Sequence, residues 1–235
     1  MFSNNPISRR SVIALAGAAG AGVLAGCSNT KPDQPGENAG TAIEILARQH
    51  GVIYRAVAIL EEVRGGMDAR MDPPPEIIGG TVEILRLFVA NHHQQMEEKL
   101  VYPVFDAAGK MSGLVEVLRE QHAAGSRLTY ILRDLCGGFS ARDLEKRRTM
   151  GGAIHMFSRM YRAHAEWEDT ALFPLLRRTM PPKSYTEMSS ALQRAETEFL
   201  GQTGFDETIR KLAGYENILG IGDLASFTPH PEDLG

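Results

Sequence analysis

The sequence predicts an all-α protein, an antiparallel four-helix bundle with extra helices at its C-terminal end. Three observations carry this. Apolar residues recur at helical spacing through four successive stretches between Thr41 and Pro174, with Gly and Pro at the breaks. The segment from His93 to Phe105 nearly returns from His164 to Leu176, at an offset of 71 residues. Upstream of each copy stands a further histidine, His50 and His122, offset by 72. Two helices per half, repeated once, give four helices whose polar residues converge between them.

The first helix is expected over residues 41–63. Ile43, Leu46, His50, Ile53, Val57 and Leu60 form one stripe, which turns His50 inward. Tyr54 follows His50 by one turn, either as a core aromatic or as a hydrogen-bonding neighbour of the site. Gly65-Gly66 are expected to end this helix. Asp72-Pro73-Pro74-Pro75 make a stiff turn, with Pro75 suited to a first helical position. The second helix runs to about Tyr102 on an apolar face of Ile78, Leu85, Val89, Met96 and Leu100, weakened early by Gly79-Gly80. The adjacent His92 and His93 cannot both face the centre. The repeat selects His93 and leaves His92 to packing or support. Pro103 lacks an N–H and is expected to kink or end the helix.

The third helix, residues 112–136, turns Leu114, Val115, Leu118, His122, Thr129 and Leu132 inward. Gly125 and Ser126 on that side are expected to leave space beside the site. The fourth begins after Ser140, with Asp143 completing a capping-box-like start, and runs to about Pro174. Ile154, Phe157, His164, Glu168 and Leu175 share its inner face, and His155 falls outside. Residues 188–199 and 205–219 read as two further helices, packing on the bundle or capping one end. A tail with His230 and Pro231 follows.

Residues four apart on a helix differ in direction by about 40°, so His93 faces with Glu97 and His164 with Glu168. An imidazole and a carboxylate one turn apart clamp a borderline or hard metal. Singly, such a pair is an ordinary surface contact. Found twice at one offset, each with an upstream histidine, the set His50, His93, Glu97, His122, His164 and Glu168 suits two irons. The ferritin-like alternative needs Glu-x-x-His, which does not occur.

These residues resemble the hemerythrin family in its broad HHE cation-binding form. The likeness covers residues 40–225 and is carried by His50, Asn91-His92-His93 through Pro103, His122, and His164 through Pro174. It implies a non-haem di-iron centre. Oxygen-carrying hemerythrins have His-x3-His on the third helix, whereas Ser126 stands four residues after His122 here. They also use His-x4-Asp on the fourth, where Asp169 is present but Glu168 has the better helical phase. The set is similar to the symmetric four-His, two-Glu variant of iron-sensing and iron-sulfur-repair relatives. It implies a protein that binds or senses O2, NO or iron. The alternatives are a di-iron oxidoreductase reducing peroxide or nitric oxide, an iron-centre repair protein, and an interaction module with a vestigial site. The expected small partner is a diatomic molecule or peroxide.

With 43% hydrophobic and 23% charged residues and a net charge of −4, the composition is that of an ordinary soluble domain, and nothing supports nucleic-acid binding. Ser8-Arg9-Arg10-Ser11-Val12-Ile13 and the small apolar run to Leu24 resemble a twin-arginine export signal. The run closes on Leu24-Ala25-Gly26-Cys27, similar to a lipoprotein processing site, which implies lipidation of Cys27 and anchorage to a membrane. The expected organisation is a signal over residues 1–26, a flexible tether over 27–40, the HHE domain over 41–225 and a tail over 226–235. Such a protein is periplasmic or held in the cell envelope. Loss of residues 1–26 removes Arg9, Arg10 and no acid, so the charge becomes −6 and offers no attraction to anionic lipid. Of the two cysteines, Cys136 is left without an intramolecular partner and reads as a structural thiol.

Overall fold

The computed structural model describes residues 40–69, 71, 74–137 and 143–228. The proposed signal, Cys27 and tether, residues Asp72, Pro73, Gly138 and Ser140, and the tail histidine His230 lie outside them. No described residue is in a strand. Among the described residues, six helical rods succeed one another: α1 (Ala42–Asp68), α2 (75–108), α3 (Ser112–Cys136), α4 (144–179), α5 (Pro182–Leu200) and α6 (Gly204–Leu219). A short 3-10 turn, Leu224–Phe227, follows.

Rods α1 to α4 form the bundle, each packed on its neighbours in sequence and α4 closing back on α1. Short connections in the sequence place successive rods antiparallel. Thr41 caps α1 in a capping box, accepting from the Glu44 N–H while the Glu44 carboxylate accepts from its own. The glycine pair does not end this helix. It passes through Gly65-Gly66 to Asp68, because Val63 and Met67 are both buried in the core and hold that turn. Pro75 opens α2. Gly109 ends it in a left-handed conformation (φ 62°), with the Lys110 N–H bonded to the Phe105 carbonyl. Asp143 itself caps α4, accepting from the Lys146 N–H.

Pro103 neither ends nor breaks α2. The rod widens into π turns over Leu85–His93 and Glu97–Val101 and resumes at Tyr102–Ala108. In α4 the same happens at Glu168–Leu172, ahead of Phe173–Thr179 with its Pro174. The Tyr102 N–H closes on the Glu97 carbonyl five residues back, and the Phe173 N–H on that of Glu168. A proline cannot donate to the carbonyl four residues before it and crowds it. A wider turn relieves that contact, and such bulges cluster at functional sites.

The core has two apolar blocks. One gathers Val52 to Met67 of α1, Ile77 to Val89 of α2, Leu132, and Met150 to Tyr161. The other gathers Ala42 to Leu46, Met96 to Phe105, Val115, Leu118, and Leu172 to Leu192. Between them lies a polar layer containing His50, His93, His122 and His164. Helices α5 and α6 lie along α1, and α6 also touches α2. Gly80 of α2 has no Cβ because the Tyr215 ring of α6 lies over it. No described helix is long and apolar enough to cross a membrane.

Candidate metal centre

The polar layer is built from four rods. α1 contributes His50, α2 His93 and Glu97, α3 His122, and α4 His164 and Glu168, none of them more than 2% exposed. They fall into two groups, His50-His93-Glu97-Glu168 and Glu97-His122-His164-Glu168, each with ligand atoms within 4.8 Å of one another. Both groups use both carboxylates. His93 Nε2 is 3.4 Å from Glu97 and His164 Nε2 is 3.2 Å from Glu168, each pair one helical turn apart. Across the bundle, His50 Nε2 is 3.3 Å from Glu168 and His122 Nε2 is 3.3 Å from Glu97.

Every histidine is oriented from behind. His50 Nδ1 donates to Asp169 Oδ1 at 2.8 Å, His93 Nδ1 to Gln49 Oε1 at 2.9 Å, His122 Nδ1 to Glu98 Oε1 at 2.9 Å, and His164 Nδ1 to Gln121 Oε1 at 3.0 Å. The acceptors hold a proton on each Nδ1 and turn each Nε2 toward the carboxylates. The supports follow the repeat. Gln49 and Gln121 each precede a lone histidine and hold the other histidine of their own half. Glu98 and Asp169 each follow an inner glutamate and hold the lone histidine of the opposite half. Tyr54 donates to the second oxygen of Asp169 at 3.2 Å, so it supports His50 through that acid.

The electrostatics match that arrangement. Burial disfavours charge on His50, but the hydrogen bond to Asp169 and the Glu168 and Glu97 carboxylates outweigh it and raise its pKa to about 10. Burial likewise opposes charge on His122, and Glu97 and Glu98 raise it to about 9. His93 is held well below the ordinary histidine value by burial and by the charge at His50. Burial and the neighbouring Glu168 raise Glu97. Glu168 is pushed up by burial but held well below the usual carboxylate range by His164 and His50.

Five buried atoms here have no hydrogen-bond partner: His50 Nε2, His93 Nε2, both oxygens of Glu97 and Glu168 Oε2. Orphaned buried polar atoms are costly and rare. Five of them converging on one point, all metal donors, fit a group of cations, which would displace the protons that His50 and His122 otherwise hold.

Several residues at this layer were not singled out from sequence. Tyr102 donates to Glu168 Oε1 at 2.6 Å and its ring stacks on His122. Phe173, its counterpart in the repeat, stacks on His50. Closing hydrogen bonds five residues apart brings a residue at i+5 back over residue i, so the π turns aim both aromatics at the centre. Gly125 leaves no space for a ligand, contrary to expectation. The Tyr161 ring fills it, so close that a Cβ on residue 125 would lie 2.5 Å from it, and Gln94 donates to the Tyr161 hydroxyl. His92 faces away from the centre and stacks on Phe199, with burial lowering its pKa to about 4. His155 is exposed. Cys136 is half-buried and free, its thiol pushed up by burial.

The family model described as the hemerythrin HHE cation binding domain matches residues 41–176. Uncharacterised proteins of Mycobacterium tuberculosis strain H37Rv and of Mycobacterium bovis are each 32% identical to this chain over 234 residues, covering 95% of it and 91% of themselves. No solved structure gives a significant match. With its matched segment spanning α1 to most of α4, and its histidines and glutamates gathered in one buried layer, the chain belongs to the hemerythrin HHE cation-binding family.

Proposed function

We propose that this is an exported, membrane-tethered protein that holds two non-haem irons and binds or senses O2, NO or iron itself. The observation that carries the reading is the pair of His2Glu2 groups sharing Glu97 and Glu168. Two imidazoles with carboxylate oxygens are the donor type of non-haem iron sites. Bound there, iron would supply redox change and open positions for a small ligand. The rest is the chain's own work. Four imidazoles are locked by their Nδ1 partners, two carboxylates are shared, and the two apolar blocks keep bulk water away. A layer no more than 2% exposed suits a diatomic molecule rather than an organic substrate. Export and lipidation rest on Arg9-Arg10 and Cys27 alone.

One observation favours the reductive alternative. Tyr102 places a hydroxyl directly on Glu168 Oε1, a hydrogen-bonding group at the edge of the centre. Reduction of peroxide or nitric oxide consumes protons. Iron analysis after anaerobic loading tests the main reading. Close to two irons per chain, with charge-transfer absorption of a bridged pair on oxidation, is expected, and a content near zero would refute it. Turnover of peroxide or nitric oxide with an added electron donor would favour the enzyme.

A further inference from the structure

The two halves of the centre are alike in their ligands but not in what stands behind them. Gln49, fully buried, accepts from His93 through its amide oxygen. Its amide nitrogen donates to Glu196 Oε2 at 2.5 Å. Glu196 belongs to α5, beyond the matched family segment, is 5% exposed, and takes Arg48 on its other oxygen. Arg48 in turn lies over the Phe205 ring of α6, 4.3 Å from its centroid. The middle of α5 is fastened to the start of α1, where Ser189 accepts from the Ala42 N–H. In the other half, Gln121 holds His164 in the same way, but Gln121 is only half-buried. No described carboxylate stands behind it.

A buried carboxylate accepting from an amide N–H polarises that amide and strengthens its carbonyl as an acceptor. Glu196–Gln49–His93 is therefore a carboxylate–histidine support with an amide inserted between its ends. Such supports fix the ring and raise its basicity toward a metal. On the di-iron reading, we infer that Glu196, acting through Gln49, is a positioning residue for His93, and that the cation held by His50 and His93 is released more slowly than that held by His122 and His164.

The test is release of iron from the loaded full chain into excess chelator. Wild-type protein should lose its two irons in two phases. Glu196→Gln, which keeps the shape and removes the charge, should speed the slow phase about 10- to 100-fold, the range such supports carry, and leave the fast phase alone. Gln49→Asn, which withdraws the amide without unpairing Arg48, must reproduce that effect. Gln121→Ala should act on the fast phase only. Arg55→Gln breaks the Arg55–Glu216 pair, which also ties the C-terminal helices to α1, and should change neither phase. A single release phase in wild type, an unchanged slow phase in Glu196→Gln, or equal acceleration of both phases would overturn the inference while leaving two irons bound. A chain that takes up no iron would overturn the di-iron reading itself.

Discussion

At the scale of single residues, neighbours in sequence do opposite work. Glu168 turns into the centre, while Asp169, the next residue, turns back to hold His50 and receive Tyr54. Glu168→Ala should therefore abolish most iron binding, because both groups of donors use that carboxylate. Asp169→Ala should retain the iron content but loosen it roughly tenfold. Iron analysis before and after a chelator challenge separates the two, and the reverse order would assign the ligand to Asp169. Helical phase alone distinguishes this pair, since residues four apart share a face and residues five apart do not. The supports were harder to read. Gln49, Gln121 and Glu98 sit beside the donors in the same repeat, yet which histidine each holds depends on which rod faces which. Tyr161 carries no local signal. Only its position across from Gly125 shows that the glycine is a seat for a ring rather than an opening.

Among elements, the sequence places the middles of the helices well and several ends badly. Gly65-Gly66 and Pro103 are local breakers, and both are overridden by packing: buried side chains carry α1 past the glycines, and a π turn carries α2 past the proline. That turn recurs in α4 ahead of Pro174, so it belongs to the repeat. The Glu-x4-aromatic-Pro spacing was its only trace in the sequence. Close approach between elements gives a prediction of its own. Tyr161 is 2% exposed, stacked on Phe157 at 4.4 Å between centroids, and cannot retreat from a methyl group at Gly125. Gly125→Ala should destabilise the fold by about 1–3 kcal/mol. Gly79→Ala, where a Cβ meets nothing within 4 Å, should instead stabilise α2 by up to about 1 kcal/mol. Opposite shifts in thermal midpoint would bear this out, and a shift of the same sign in both would not.

Over the whole molecule, the centre exists only once the chain has closed. Its donors run from His50 to Glu168, so four rods must pack before either group of donors forms. On the proposed di-iron reading, metal binding and folding are therefore coupled. The bundle and its polar layer were legible in the sequence because the repeat encodes both. The part played by α5 was not, because it falls outside the repeat and its Glu196 reaches the centre through an intervening amide. On the proposed reading, a site of this kind bears on export. The twin-arginine route suits cargo that is already folded, and loading inside the cell would let iron bind before zinc or copper outside, which hold imidazole more tightly, can compete. Arg9→Lys with Arg10→Lys should accordingly trap iron-loaded precursor within the cell. Cys27→Ala should permit export but remove the lipid anchor, leaving the protein in the soluble fraction of the envelope. Fractionation with iron analysis of each fraction reads both outcomes. Normal export of the twin-lysine variant would mean that the chain crosses unfolded, and that the four histidines and two glutamates meet their metal only on the far side.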